Sequence, residues 1–241
     1  MTHSSTTTAP TGLPAGPPAR FLLLGDCHAG PIGRAGRAMR VPFHGGPLGV
    51  GRDFVTDFAR LTDGRLTFRG PLAQKLYRDH LARFGARELG EVPVPLVSTF
   101  GCALTSLAGV ELWRVHRVGD GFPEGFPDGF LESPFFRTLA RALTRHALEF
   151  YRHAVEVSPR VVAVLPPQRV PEGADPAVFA ALQETVREAV EECGAEIVDP
   201  RPKATDEHGR QRPEFSDPDS PLHGNVAFGR LIVADLLDRG L

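Results

Sequence analysis

This sequence has few lysines, no excess of basic over acidic residues and no long apolar run. Of its 241 residues, 27 are Lys or Arg and 29 are Asp or Glu, for a net charge of −2, and Lys75 and Lys203 are its only lysines. This balance gives no broad positive field for nucleic acid or an anionic membrane surface. No apolar run approaches the roughly 20 residues that span a bilayer. We therefore expect neither a nucleic-acid partner nor a membrane.

Cysteine is also scarce. The three cysteines, Cys27, Cys102 and Cys193, cannot all pair and show no C-x-x-C spacing, which argues against a disulfide framework and a zinc-binding motif. Residues 1–19 contain neither the positive segment nor the apolar core of a secretory signal. The sequence predicts a disordered tail over 1–19, a single domain over 20–241 and a cytoplasmic protein.

Short apolar runs alternate with helical patterns along the rest of the chain. The runs lie at residues 21–24, 92–97, 161–165 and 195–198. Runs of this kind are typical of strands buried on both faces of a parallel sheet. Apolar residues recur at helical spacing over 131–154, 178–190 and 228–236. The alternation predicts an α/β fold with a doubly wound, mostly parallel sheet and helices on both faces. Residues 60–69 add a predicted hairpin around Asp63-Gly64.

Reactive side chains occur near both ends of the predicted domain. Cys27 lies in the segment Gly25-Asp26-Cys27-His28, directly after the first apolar run, where parallel sheets gather their active sites. His223 precedes the last predicted helix and follows Asp217 and Asp219. A nucleophile needs a base within hydrogen-bond reach and an acid behind the base. We predict Cys27 as nucleophile, His223 as base and Asp219 as acid, with Asp217 as the alternative acid.

These two segments resemble the SGNH or GDSL hydrolases. Gly25-Asp26-Cys27 is similar to the family's Gly-Asp-Ser turn, with cysteine in place of serine, and His223 is similar to the family's last block. The resemblance covers residues 20–241 and implies a flavodoxin-like sheet with the nucleophile first and the histidine last. Cysteine as nucleophile resembles a smaller branch of GDSL-like acyltransferases associated with polysaccharide biosynthesis.

The sequence departs from the family pattern at the expected oxyanion hole and acid. The family's oxyanion-hole asparagine has no counterpart, because Asn225 is the only asparagine. Thr99 and Gly101 stand in the corresponding place, so the Thr99 hydroxyl or a backbone N–H would have to substitute. Position 220, three residues before the histidine, is serine where the family has aspartate. The family's second-block glycine is assigned to Gly46, with neighbouring Gly45 and Gly49 as alternatives.

Other candidate residues have competing interpretations. Arg169 is either a clamp for a substrate carboxylate or phosphate or a surface residue of an arginine-rich protein. His146, Glu149 and His153 lie on neighbouring helical turns, which permits a metal site, although a solvated helix face is the expected explanation. Cys102 and Cys193 are expected to be core residues. With no phosphate-binding loop, dinucleotide fingerprint or metal-ligand spacing, we expect no cofactor and no metal.

The predicted function is acyl transfer through a thioester on Cys27, by an ester or thioester hydrolase or an acyltransferase. A thioester intermediate is similar in energy to a thioester donor, so acyl-CoA or a carrier-bound acyl group is the expected substrate. The expected partners are a small-molecule acyl donor and acceptor and a carrier protein. Two alternatives stay open: a catalytically silent binding or scaffold protein with the same fold, and a cysteine engineered in place of serine.

Overall fold

The computed structural model of the protein describes residues 18–118 and 125–241, so residues 1–17 of the predicted tail lie outside it. The strands are β1 (Leu22–Gly25), β2 (His44–Pro47), β3 (Ala59–Thr62), β4 (Arg65–Phe68), β5 (Leu96–Ser98), β6 (Val161–Val164) and β7 (Glu196–Val198). The α-helices are α1 (Ala29–Ala38), α2 (Pro71–Ala82), α3 (Val110–Trp113), α4 (Pro134–Leu143), α5 (Arg145–Val157), α6 (Pro176–Glu192), α7 (Arg201–Ala204) and α8 (Val226–Asp238). None of the described helices is long and apolar enough to cross a membrane.

Five parallel strands form the central sheet, in the order β2-β1-β5-β6-β7. This is the flavodoxin-like order, in which the first strand lies between the second and third strands of the sheet. Side chains of β1 alternate between two cores: Leu22 and Leu24 pack with α5 and α6, whereas Leu23 packs with α1 and α8. The predicted α/β fold with helices on both faces is confirmed.

The edge strand β2 was not predicted, because its sequence His-Gly-Gly-Pro has little apolar character. Its glycine content follows from close packing against β1. A Cβ atom on Gly45 would lie 1.9 Å from the carbonyl oxygen of Leu23, and Gly45 has a φ of +107°. Only glycine tolerates both conditions. The glycine-rich segment therefore completes the sheet.

The predicted hairpin is confirmed. Strands β3 and β4 pair antiparallel, with Thr62 opposite Arg65. The two residues between them, Asp63 and Gly64, have φ values of +51° and +74°. Positive φ at both central positions is typical of the two-residue type I′ turn, whose twist matches that of the strands.

The helical pattern over 131–154 corresponds to two helices, α4 and α5, which meet at Thr144. Phe135, one of the residues at helical spacing in this pattern, is 57% exposed, whereas the neighbouring Phe136 is 0% exposed. The helix start sets this rotation. Ser133 caps α4 by accepting a hydrogen bond from the Phe136 backbone N–H at 3.1 Å, and a shift of one residue turns a helix face by about 100°.

Candidate active site

The turn after β1 packs tightly against the end of β5. A Cβ atom on Gly25 would lie 2.1 Å from Thr99 Oγ1, so glycine is required there. Asp26 is 1% exposed. Its Oδ1 accepts hydrogen bonds from Thr99 Oγ1 at 2.9 Å and from the His28 backbone N–H at 2.9 Å. Its Oδ2 is buried without a hydrogen-bond partner among the described residues. One oxygen of the Asp26 carboxylate is therefore fixed by hydrogen bonds, and the other is free to accept one.

Cys27 follows Asp26 and is half-buried, two residues before α1 begins. Burial raises the pKa of the Cys27 thiol above its ordinary value, and the adjacent Asp26 carboxylate raises it further. Backbone hydrogen bonds at Gly51, Cys27 and His28 act in the opposite direction. The net shift favours the protonated thiol near neutral pH, so attack by this sulfur requires a base.

His223 lies in the loop before α8, next to the turn that carries Cys27. The ring centroids of His223 and His28 are 5.1 Å apart. The Nε2 atom of His223 is buried and has no hydrogen-bond partner in the described part of the chain. Burial lowers the pKa of His223, and His28 lowers it further, against opposing effects of Asp26 and Asp217. The imidazole is therefore mainly neutral near pH 7, the form that accepts a proton.

Ser220 is the hydrogen-bond partner of the His223 ring: its Oγ lies 2.6 Å from His223 Nδ1. The sequence favours Asp219 for this position, but that residue is exposed, and its backbone N–H donates to Asp217 Oδ1 at 3.0 Å. The loop closes through a hydrogen bond from the Asp217 N–H to the His223 carbonyl oxygen at 3.0 Å. This closure places the residue three positions before the histidine against its ring. The prediction of Asp219 as the Nδ1 partner is therefore corrected to Ser220.

Two of the predicted oxyanion groups have structural contacts instead. The Thr99 hydroxyl is buried and accepts a hydrogen bond from the Asp26 N–H at 3.2 Å while donating to Asp26 Oδ1. Gly101 has a φ of +71°, and a Cβ there would lie 2.2 Å from Ala147 Cβ. These residues set the shape of the turn and its packing against α5. The Thr99 hydroxyl is thus engaged by Asp26, and a backbone N–H as the oxyanion donor stays a prediction.

The glycine beside the sulfur is Gly51, not Gly46. A Cβ atom on Gly51 would lie 4.0 Å from Cys27 Sγ and 3.6 Å from Asp26 Oδ2. Gly46 pairs with Leu24 inside the sheet. Gly51 begins a 3₁₀ turn over Gly51–Phe54. The sequence interpretation considered Gly45, Gly46 and Gly49 and missed Gly51, which follows Gly49 by two residues in the same glycine-rich stretch.

Arg169 holds the histidine loop in place. Its Nη1 donates to the carbonyl oxygens of Asp217 at 2.5 Å and His223 at 3.0 Å. Asn225 also has a structural role, because its Oδ1 caps α8 by accepting from the Phe228 N–H at 3.1 Å. Arg169 therefore positions the loop through its Nη1, and it also lines the groove described below, so a role as a substrate clamp stays a prediction.

One group of potential metal ligands stands out in the described residues. Ligand atoms of Asp26, Cys27 and His28 all lie within 4.8 Å of one another, and no other group of three His, Cys, Asp or Glu residues was found there. His146 instead lies 3.4 Å from a Glu149 oxygen in an ion-pair arrangement. Of the remaining cysteines, Cys102 is buried as predicted, whereas Cys193 is only half-buried at the end of α6.

An open groove borders the histidine loop beyond the ends of β6 and β7. Its lining includes Gln183, Arg201, His208, Arg210 and Ser216. Gln183 is 1% exposed, and its Nε2 has no hydrogen-bond partner among the described residues. Arg201 is paired with Asp199 and Glu184. The groove therefore presents basic groups and a buried amide beside the loop that carries His223.

No family model matches the sequence, and no curated protein matches it. Several solved structures are similar. A GDSL-like lipase from Bacteroides thetaiotaomicron is 13% identical over 92% of this chain and 86% of that chain, with a TM-score of 0.41. A lipase/acylhydrolase from Enterococcus faecalis is 15% identical over 91% and 96%, with a TM-score of 0.45. A mutant acetyl-xylooligosaccharide esterase from Geobacillus is 14% identical over 94% and 95%, with a TM-score of 0.45. Values of this size assign no function to the present chain.

Proposed function

We propose that this protein is an acyl-transfer enzyme, an ester or thioester hydrolase or an acyltransferase, with Cys27 as nucleophile and His223 as base. The observation that carries the proposal is the meeting of two distant segments at the carboxyl end of β1. There the His223 ring lies 5.1 Å from the ring of His28, the neighbour of Cys27. Its Nδ1 contacts Ser220, and its buried Nε2 is without a partner among the described residues.

The reaction begins with a neutral pair, since the pKa of Cys27 is raised and that of His223 is lowered. As the sulfur bonds to the acyl carbon, its proton passes to His223 Nε2, and the carbonyl electrons move onto oxygen. The oxyanion is stabilised by backbone N–H groups of the Cys27 turn and Gly51. When the carbon–leaving-group bond breaks, His223 returns the proton to the leaving group, and a thioester stays on Cys27.

The second half of the cycle regenerates the thiol. Water or an acceptor hydroxyl attacks the thioester carbon, giving its proton to His223 as the new bond forms. Collapse of the tetrahedral intermediate breaks the bond to sulfur, and the Cys27 thiolate recovers its proton from the imidazolium. In this cycle Ser220 Oγ accepts a hydrogen bond from Nδ1–H throughout, so that Nε2 is unprotonated in the resting enzyme and carries the proton in the intermediates.

The proposed donor is a thioester such as acyl-CoA or an acyl group on a carrier protein, with a small-molecule acceptor. The groove beside the histidine loop supports this class, because Arg210 lines it. In the described part of the chain, the Arg210 guanidinium has no ion-pair partner, and it suits a phosphate on the donor. We expect Arg210→Ala to raise KM for acyl-CoA about tenfold, the loss of roughly one charge-assisted hydrogen bond, with little change in kcat.

A competing candidate is a catalytically silent protein that retains the fold. It is favoured by two observations: the raised pKa of the Cys27 thiol and the neutral Ser220 on His223 Nδ1. The raised pKa leaves less Cys27 thiolate to attack, and a serine on Nδ1 makes His223 a weaker base than a carboxylate there would.

Intact-protein mass after incubation with acyl-CoAs and activated esters tests the proposal. We expect an acyl adduct on the wild type and on Cys193→Ala, the matched thiol control, but not on Cys27→Ala. Cys27→Ser should retain part of the ester hydrolysis and lose most of the turnover of thioesters if the site is built for thioesters. An unlabelled wild type without turnover, or labelling that survives Cys27→Ala, would support the silent protein instead.

A further inference from the structure

We propose that the turn after β1 also binds a divalent transition metal of the Zn²⁺ class through Asp26, Cys27 and His28, with His223 as the fourth ligand. The proposal concerns binding and stands apart from the proposed acyl transfer. Its starting point is the convergence of a carboxylate oxygen, a thiol and an imidazole nitrogen within 4.8 Å of one another.

Unpartnered atoms point to a ligand at this cluster. Asp26 is 1% exposed, yet its Oδ2 has no hydrogen-bond partner among the described residues. The same holds for His28 Nδ1 and His223 Nε2, which are both buried atoms. A buried polar atom left unpaired destabilises the folded protein. A cation bound at the group of three would satisfy Asp26 and His28, and it would satisfy His223 once that ring moves towards the ion.

In two of the proposed ligands, Asp26 and His223, the second polar atom of the side chain already has a hydrogen bond. Asp26 Oδ1 accepts two hydrogen bonds, from Thr99 and His28, which leaves Oδ2 for a ligand. His223 Nδ1 is held by Ser220 Oγ at 2.6 Å, which leaves Nε2. Metal-binding histidines in proteins have this arrangement, with one ring nitrogen on the metal and the other fixed by a hydrogen bond. The side chains are thus oriented before an ion binds.

The donor set selects the class of metal. One sulfur, two imidazole nitrogens and one carboxylate oxygen suit a tetrahedral Zn²⁺ site, whereas Mg²⁺ and Ca²⁺ prefer oxygen ligands alone. Tetrahedral bonds of the usual lengths put ligand atoms about 3.4–3.6 Å apart. The ligand atoms of Asp26, Cys27 and His28, up to 4.8 Å apart, therefore need a small closure around the ion, and His223, which lies outside this group of three, has to move towards it to become the fourth ligand. Because the ion takes the Cys27 sulfur, metal binding and acyl transfer at this site exclude each other.

Titration of the metal-free protein with Zn²⁺, followed by calorimetry, tests the site without a substrate. We expect one ion per chain, and binding at least about tenfold weaker in Cys27→Ser and in His28→Gln. Cys193→Ser, which alters another half-buried thiol, should bind as the wild type does. Mg²⁺ should not compete. Circular dichroism of each variant verifies that it is folded.

Titration with Co²⁺ identifies the ligands independently. A thiolate-to-cobalt charge-transfer band should appear in the wild type and in Cys193→Ser and be absent in Cys27→Ser. Undiminished Zn²⁺ binding in Cys27→Ser, loss of binding in Cys193→Ser, or no stoichiometric binding by the wild type would each overturn the proposal. Failure of acyl labelling in the metal-free protein, together with intact Zn²⁺ binding, would reject the proposed function alone, and the reverse pattern would reject the metal site alone.

Discussion

At the scale of single residues, the contact between Ser220 and His223 decides how well the base works. A neutral hydroxyl on Nδ1 fixes the tautomer but stabilises an imidazolium less than a carboxylate does. We expect Ser220→Ala to lower kcat/KM for an activated ester about three- to tenfold, the worth of one neutral hydrogen bond. Asp219→Ala should change little, because Asp219 is exposed and its side chain is not placed on the ring. Steady-state kinetics of both variants measures the difference.

A converse substitution sharpens this test. Ser220→Asp puts a carboxylate where the hydroxyl now contacts Nδ1, which should raise the pKa of His223 and move the acid limb of the pH profile to higher pH. An unchanged profile together with a silent Ser220→Ala would show that His223 does not serve as the base.

The carboxylate of Asp26 contributes to the low reactivity expected of the neighbouring thiol. Asp26 is the second largest cause, after burial, of the raised pKa of Cys27. A raised pKa leaves less thiolate at any pH below it, so alkylation at pH 7 should be slower than that of a free thiol. Asp26→Asn removes the charge and should lower this pKa, which speeds alkylation at pH 7. Mass-resolved alkylation rates from pH 6 to 10 measure both effects, and an Asp26→Asn rate equal to or below that of the wild type would contradict them.

At the scale of elements, helices α1 and α8 are in close contact beside the site. A Cβ atom on Gly229 of α8 would lie 2.2 Å from the carbonyl oxygen of Pro31 in α1. Gly229→Ala should therefore destabilise the fold by about 1–3 kcal/mol, as overpacking does. The matched control is Gly33→Ala in α1, where the nearest atoms would lie 3.7 Å from the new Cβ. Urea denaturation compares the two, and equal stability of both variants would contradict the prediction.

The elements also show what a sequence can indicate. Strands with strong apolar character, such as β1 and β6, were predictable from local composition, as was the hairpin turn at Asp63-Gly64. Strand β2 was not, because Gly45 is fixed by the approach of a carbonyl oxygen from another strand. The side-chain rotation of α4 depended on the cap at Ser133.

The residues of the candidate site also divide into those that the local sequence indicates and those that it does not. Cys27 and His223 were indicated by their positions next to a strand and a helix, which are local features. Ser220 and Gly51 were not assigned, because their contacts with His223 and Cys27 depend on how a loop and a turn close in space. Roles that arise from tertiary contacts leave little trace in residue spacing.

At the scale of the whole molecule, a cluster of phenylalanine rings joins the hairpin to the sheet and to α5. Phe100, which is fully buried at the end of β5, has ring contacts with Phe54, Phe58, Phe68 and Phe150. We expect Phe100→Ala to lower the free energy of unfolding by about 3–5 kcal/mol.

The control for this substitution is the exposed Phe135. Phe135→Ala should cost less than about 1 kcal/mol, since surface substitutions have small effects. Thermal unfolding gives both values. If Phe100→Ala melted at the temperature of the wild type, the cluster would not be a stabilising connection between these elements.

The composition of β2 affects how copies of the protein meet. As the outermost strand of the sheet, it presents one side to other chains, and a bare strand edge is a template for edge-to-edge pairing. This edge is only four residues long and ends at Pro47, which has no N–H to donate. At the opposite edge, β7 has three residues, and its Glu196 forms an ion pair with Arg160. Two short edges, one ending in proline and one carrying charge, protect the sheet against growth into an aggregate.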